Sequence, residues 1–434
     1  MHLCYTHGTH IGYARYGTKL AGALARAGVE HVETLDRSDR PRHLAVWVST
    51  PNQARGWFDG QHKVLSTMWE TDTLPEGFRE SFGCFDQLIV PSAANLELFS
   101  GYHPQVAKVP LGVDGHDWRY RARADPDRRF VFLVAGNGPR KGVDLAVAAF
   151  RAVFGSCGGL SPRPMLQVKS TRPLDEAVGE RISNVTGRMS DEEEIELYAQ
   201  AHCYVGPSRG EGFGLMPLQA IAQGCPTILT DAHGHAEFAH LGRPVTATKS
   251  RSDYFVHGES GDWWEPDLGE LCAQMEDVYL RYDTARKDAE INSFCAHRDF
   301  SWDVCARRFV EAVGTEHFGQ AYQGDGTWVE PERARYLVRV NRLWVCEVAG
   351  VTYQFHPGQD YWELADVKRI LYEGGLLDPA CVPRGVDGDP TPAQTGLTVG
   401  QLARFGDYSA AQSYCHTCGQ QLNSGVRYQP AEVS

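Results

Sequence analysis

A chain of 434 residues exceeds what one hydrophobic core organises, so two or more domains are expected. Hydrophobic residues at 42% and charged residues at 22% are ordinary for a soluble globular protein, and no apolar run approaches the ~20 residues that span a membrane. The formal net charge of −13 argues against a long footprint on a phosphate backbone, which needs a positive field, although a local basic patch stays compatible with it.

The opening stretch, MHLCYTHGTHIGYARYG, lacks the basic start and apolar core of a secretory signal, so a cytoplasmic location is expected. Short strands and helices then alternate. His2–Tyr5 reads as a strand, Gly8–Gly12 as a turn, and Tyr16–Ala27 as a helix with Leu20, Ala23, Leu24 and Ala27 on one face. Further strands are predicted at His43–Ser49, Lys63–Met68 and Gln87–Val90. The polar, Pro-containing stretch Arg119–Arg128 reads as a linker. Alternation resumes with strand Phe130–Ala135, helix Val143–Phe154, strand Met165–Val168 and helix Asp191–Ala199. Strand Cys203–Val205, helix Pro217–Gln223, strand Pro226–Leu229 and helices Asp267–Tyr282 and Trp302–Ala312 follow. This alternation predicts parallel sheets joined by crossover helices.

After Gly324 the pattern changes to short strands over Tyr336–Phe355, turning at Gly350, and a helix over Ala365–Tyr372. Pro379–Pro392 reads as a linker and the end as a polar tail. The expected organisation is an α/β domain over 1–118, a second over 119–323, a small α+β appendage over 324–378, and a linker and tail over 379–434.

Two segments carry chemistry. In VAGNGPRKG, residues 134–142, an apolar strand runs through a Gly-rich turn into a helix. Such a turn exposes backbone N–H groups at a helix start, and Arg140 and Lys141 add two cations there. That suits a diphosphate leaving group, whose growing charge the cations would stabilise; the plain alternative is a solvated helix start. In GPSRGEGFGLMPLQAIAQGCPTIL, residues 206–229, Gly210, Gly212 and Gly214 surround Glu211, and Pro217 suits the first turn of a helix. A buried carboxylate there accepts hydrogen bonds from sugar hydroxyls; the plain alternative is a tight turn with an exposed Glu.

With TMWETDTLP (67–75), IVPS (89–92), VPLGVD (109–114), TGRMSDEEEIELYAQA, TDAHGHAEF (230–238) and FSW (300–302) in the same order, these segments resemble the retaining GT-B glycosyltransferases of glycosyltransferase family 4 over roughly residues 1–315. The resemblance implies a GT-B architecture, two Rossmann-like domains facing a cleft, and transfer of a hexose from a nucleotide sugar to a hydroxyl acceptor with retention and without a metal. It implies that Arg140 and Lys141 bind the donor diphosphate and that Glu211 contacts the transferred sugar. Backbone groups of Gly212, Phe213, Gly214 and Leu215 would meet sugar and phosphate. Thr186, Gly187, Arg188 and Met189 would run along the nucleobase, and Gly12 and Tyr13 would close on the phosphate from the first domain. Glu70 would face the acceptor, as orienting group or base. Two positions depart from the family pattern. Gln219 stands where a second glutamate would bind the ribose, and Asn137 stands near the place of a further phosphate-binding arginine.

The acceptor stays open among glycan, small molecule, protein and a hydroxymethylated DNA base; Gln219 and Asn137 also admit a non-catalytic binding protein with a decayed transferase fold. A phosphorylase of the same architecture would need inorganic phosphate or a pyridoxal phosphate lysine that the sequence does not point to. A dehydrogenase is rejected, because GTHIGYARYG lacks GxGxxG spacing. Asp125-Pro-Asp127 and Asp387-Gly-Asp389 lie in Pro-containing linkers and read as solvated turns. His7, His10, His233 and His235 read as loop or cleft-wall residues rather than bases. Of twelve cysteines, most sit singly in apolar settings, as Cys203 and Cys225 do, and read as buried reduced thiols. Cys415 and Cys418 have the spacing of half a zinc knuckle, with Cys346, Cys381, His356 or His416 as irregular partners for a structural zinc. The alternatives are two free thiols or a site completed between chains. Tyr353, Phe355, Tyr361 and Trp362 read as the core of a small domain, or else as an acceptor or oligomer surface.

Overall fold

The computed structural model describes residues 1–5, 11–29, 32–34, 42–53, 60–155, 159–171, 173, 180–252, 261–315 and 317–318, and beyond these only the backbone of a few short strands. The chain divides into two compact units, Met1–Gly326 and Thr327–Ser434. Within the second unit, strands Arg335–Arg339 and Asp360–Leu364 pair antiparallel, as do Trp344–Val348 and Val351–Phe355. The Ala365–Tyr372 helix, the Pro379–Pro392 linker, Cys415 and Cys418 lie outside the described residues, as do His7 and His10.

The first unit holds two lobes. The N-terminal lobe contains β1 (His2–Tyr5), α1 (Ile11–Arg26), β2 (Val32–Thr34), β3 (Arg42–Val48), β4 (Gly60–Ser66), α2 (Glu76–Arg79), β5 (Gln87–Val90), α3 (Ala93–Ser100) and β6 (Val106–Lys108). Its strands form one parallel sheet in the order β2-β1-β3-β4-β5-β6. Ala45, Trp47, Leu65, Leu88, Phe82 and Phe99 make its core. α1 begins at Ile11 rather than at Tyr16, so Gly12 and Tyr13 stand in its first turn rather than in the preceding loop. The Tyr13 hydroxyl explains the early start: it bonds the Met68 carbonyl at 3.1 Å and accepts from the Met68 N–H, pinning the turn to the end of β4.

The C-terminal lobe contains β7 (Arg129–Ala135), α4 (Val143–Phe154), β8 (Arg163–Ser170), β9 (Ile182–Thr186), α5 (Asp191–Gln200), β10 (Cys203–Gly206), α6 (Leu215–Ala222), β11 (Thr227–Thr230) and β12 (Arg243–Val245). Its parallel sheet runs β12-β11-β10-β7-β8-β9, so the chain reverses direction across the sheet between β7 and β10. Phe130, Phe132 and Val134 of β7 are buried with Phe150 and Phe154 of α4 on one face, and Leu133 and Ala135 are buried on the other, as expected of a strand covered on both faces. An antiparallel hairpin of β13 (Ala247–Arg251) and β14 (Asp262–Pro266) follows, then helices α7 (Leu268–Leu280), α8 (Tyr282–Asp299) and α9 (Trp302–Val313). α9 leaves its own lobe and packs on α1, with Trp302 stacked on Tyr16 at 5.8 Å and Asp303 paired to Arg26 at 2.7 Å.

The stretch expected as a linker is a pinned connector. Arg121 pairs with Glu196 at 2.7 Å. Arg123 is buried, and its guanidinium donates to the carbonyls of Tyr198, Ala199 and Ala201 and of Gln223 and Gly224. It also reaches the Gln223 side-chain oxygen at 3.2 Å. One cation thus neutralises the carbonyl ends of both α5 and α6. Among the described residues no helix is long and apolar enough to cross a membrane.

Candidate functional site at the reversal of the C-terminal sheet

In an open α/β sheet, the crevice that takes ligands forms beyond the strand ends where the strand order reverses, because flanking loops part there to opposite faces. Here that place lies between the ends of β7 and β10. β7 leads into the 3-10 turn Pro139–Lys141, and β10 leads into Pro207–Gly214. Both chemistry-bearing segments of the sequence therefore converge on one point.

Glu211 is buried, and its Oε1 accepts from Lys141 Nζ at 2.5 Å and from Ser208 Oγ at 3.0 Å. Arg140 stands 3.4 Å from the other carboxylate oxygen and donates to the Gly210 carbonyl at 2.6 Å. From the N-terminal lobe, Glu70 approaches Arg140 at 3.9 Å. Burial alone would raise the Glu211 pKa. Lys141 first, then Arg140 and His235, overcome it and hold the carboxyl well below the usual range. Burial lowers the Lys141 pKa, Arg140 lowers it further, and Glu211 opposes both. The result is an ionised carboxylate and two cations in a water-poor crevice, an arrangement that recognises anions and hydroxyls together.

The lobes meet at this crevice closely. A Cβ on Gly210 would stand 2.2 Å from the Glu70 carbonyl oxygen, and one on Gly212 would stand 2.6 Å from the Met68 side chain. Side chains at either position would force the lobes apart. Arg15 of α1 pairs with Glu194 of α5 at 2.5 Å, and Lys108 pairs with Glu237 at 2.9 Å, across the same boundary.

Gln219 lies in α6, buried, with its Oε1 lacking a hydrogen-bond partner among the described residues. Phe213 is buried, and Gly212, Gly214 and Leu215 form the turn that starts α6. Asn137 is exposed and accepts from the Thr171 N–H at 2.9 Å, so its side chain ties the loop after β7 to the loop after β8. Thr186, Gly187, Arg188 and Met189 lie elsewhere, at and after the end of the edge strand β9, separated from β7 by β8. Tyr13 sits on the N-terminal side, against Thr67 and Met68. Among the described residues no three His, Cys, Asp or Glu side chains group as metal ligands do.

Reasoning from sequence passed over two supports, Ser208 and Arg209, and placed two histidines only as loop or wall. Ser208 holds both the Glu211 carboxylate and the Arg140 carbonyl, at 3.0 and 2.8 Å. Arg209 is locked by Asp144 and Glu265 and lies 5.3 Å over the Trp263 ring, so it anchors the loop rather than facing the crevice. His233 and His235, expected as loop or wall residues, are both buried beside Glu211. Burial first lowers the pKa of each to about 4, so both rings are neutral near pH 7.

Comparison with known proteins agrees with this geometry. The model of a family described as "Family 4 Glycosyltransferase in conflict systems" matches residues 93–309. Putative glycosyltransferase 41 of a Sulfolobus islandicus filamentous virus is 42% identical over 52 residues, 12% of this chain and 16% of that protein. The D-inositol 3-phosphate glycosyltransferase of Corynebacterium urealyticum is 26% identical over 156 residues, 36% of this chain and 33% of that protein. The chain thus spans a third or less of the length of these two relatives. The crystal structure of sucrose-phosphate synthase from Thermosynechococcus elongatus superposes with a TM-score of 0.53 at 16% identity, covering 71% of this chain and 97% of that one. The architecture is GT-B, as the sequence resemblance implied.

Proposed function

The chain belongs to the family 4 glycosyltransferases in conflict systems, and we propose that it transfers a hexose from a nucleotide-sugar donor to a hydroxyl acceptor with retention at the anomeric carbon. The observation that carries this reading is the buried constellation Arg140–Lys141–Glu211 in the crevice of the reversed sheet. In the reading, the donor diphosphate lies on Arg140 and Lys141 and on the N–H groups at the head of α6. Glu211 turns from Lys141 to the hydroxyls of the transferred sugar. Gln219, whose buried Oε1 lacks a partner among the described residues, takes the ribose hydroxyls. Thr186–Met189 border the nucleobase, and Gly12 and Tyr13 close the phosphate side. Glu70 faces the acceptor and orients its hydroxyl.

The chemistry follows from charge. As the sugar–phosphate bond lengthens, positive charge grows on the sugar ring and negative charge on the departing phosphate. Arg140 and Lys141 stabilise the departing phosphate in a site already preorganised by Ser208 and Gly210. The leaving phosphate accepts the acceptor's proton on the same face, which preserves the anomeric configuration. No covalent intermediate on the protein is required. With Asn137 committed to Thr171, the phosphate load falls on two cations rather than three.

The test is a thermal-shift screen against nucleotide sugars and free nucleoside diphosphates, with Lys141→Ala and Glu211→Ala beside the wild type. Binding to the folded state raises the melting temperature by mass action. The reading expects a shift with one nucleobase, weakened in both variants. No shift with any compound would overturn it in favour of a decayed fold that binds something else.

A further inference from the structure

A single turn after β11 both braces Glu211 and sets an otherwise unused imidazole beside it. His233 opens the turn in the left-handed region, with φ 51°, a strained setting for a residue with a Cβ. Its Nδ1 donates to the main-chain oxygen of Glu211, and the Gly234 N–H donates to the same oxygen at 3.0 Å. Two residues on, His235 is 2% exposed and its Nε2 has no hydrogen-bond partner among the described residues. Gly214, the N-cap of the eight-residue helix α6, lies against this ring: a Cβ there would stand 2.5 Å from Nε2. Gly214 also has φ +107°, so glycine meets both the backbone and the space requirement.

The ring is neutral and therefore carries one N–H. Its unpartnered nitrogen lies at the head of a helix, where backbone dipoles favour negative charge, and the ring feels the Glu211 carboxylate as well as the Lys141 and Arg140 cations. Once Glu211 turns to the sugar hydroxyls, the helix head and the two cations favour an anion there. We propose that His235 donates a hydrogen bond from Nε2–H to the sugar-bearing phosphate of the donor, an inference that rests on the donor-site reading above. The bond strengthens as that phosphate gains charge during departure. His235 thereby discriminates a nucleoside diphosphate from a monophosphate, which lacks the second phosphate.

Calorimetric titration of the full chain with UDP, GDP, ADP and dTDP, and with their monophosphates, tests this. His235→Met and His235→Gln are near-isosteric, and only the glutamine can donate. For the nucleobase that binds, His235→Met is expected to weaken the diphosphate about tenfold, the worth of one hydrogen bond to a charged group, and to leave the monophosphate unchanged. His235→Gln recovers part of the loss. In the wild type, ring nitrogen resonances of His235 shift with the diphosphate and not with the monophosphate, a readout that needs no variant. Equal losses for both nucleotides, or no loss for either, would overturn the inference while the donor site stands. A wild type that binds no nucleotide would sink the donor-site reading and this inference with it.

Discussion

Removing the Arg123 guanidinium should destabilise the C-terminal lobe far more than its place in a Pro-containing connector suggests. Arg123 is 8% exposed and makes six hydrogen bonds to oxygens, five of them main-chain carbonyls. Three of these carbonyls end α5 and two lie just beyond α6, so no helical N–H replaces the lost donor. Each hydrogen bond to a charged group is worth about 1.5–3 kcal/mol, but the six are not additive and water partly refills the space. Each buried acceptor left without a donor costs about 1–3 kcal/mol before water refills the space, so the expected loss for Arg123→Ala is about 3–5 kcal/mol. With a urea slope of about 2 kcal/mol per molar, the unfolding midpoint drops by about 2 M. Arg123→Lys should recover less than half, since one ammonium cannot span acceptors that a planar fork reaches on two helices. Urea unfolding followed by circular dichroism measures both. A loss under about 1 kcal/mol in Arg123→Ala would refute the reasoning and return the segment to a solvated linker, where substitutions usually stay within about 0.5 kcal/mol.

The two interlobe glycines should both resist substitution. Gly210→Ala confronts the Glu70 carbonyl and Gly212→Ala confronts Met68 from its Cβ outward, so neither neighbour swings aside without backbone movement. Steady-state transfer should fall about 100-fold in each, the cost of a displacement near 1 Å; unchanged transfer would show that lobe closure is not limiting. His202 supplies a pH signature. Burial, reinforced by Arg123, lowers its pKa to about 4, and its Nδ1 accepts from the Val131 N–H at 3.1 Å, which suits a neutral ring. The unfolded chain takes up this proton near pH 6.5, well before the folded chain does, so stability falls as pH drops from about 6.5 to 4. Discounted for the partly exposed ring, the contribution at pH 5 is about 1 kcal/mol. Comparing urea midpoints at pH 7.5 and 5 should show a shallower decline in His202→Asn; parallel declines would rule the assignment out.

Segments whose burial shows as large apolar side chains were legible. β5 and α4 occupy the residues expected, because Leu88–Val90 and the Val143, Val147, Phe150, Phe154 face advertise their cores. α8 was not legible: its buried side is Ala285, Ala289, Ser293 and Ala296, too small and polar to raise an apolar signal. The edge strand β9, ISNVT, pairs on one side only and carries little apolar periodicity, so it too was missed. At the candidate site, two Gly-rich strand-to-helix turns marked Arg140, Lys141 and Glu211, and the family resemblance implied that they meet. What local pattern did not reveal was support through space. Ser208 reads as a turn residue until its oxygen is found on Glu211, and the HGH turn reads as loop until His233 is found on the Glu211 carbonyl.

The return of α9 to α1 has a consequence for biosynthesis. Tyr16 stacks on Trp302, and Arg26 pairs with Asp303, so the first helix meets its last partner almost a full unit later in the chain. At ~5–20 residues per second, a ribosome leaves that face of α1 uncovered for on the order of tens of seconds. Contacts this distant in sequence also slow closure after release. The N-terminal sheet therefore emerges first yet is finished last, and a chain interrupted before Trp302 leaves the Tyr16 face of α1 exposed as a surface for chaperones or for aggregation.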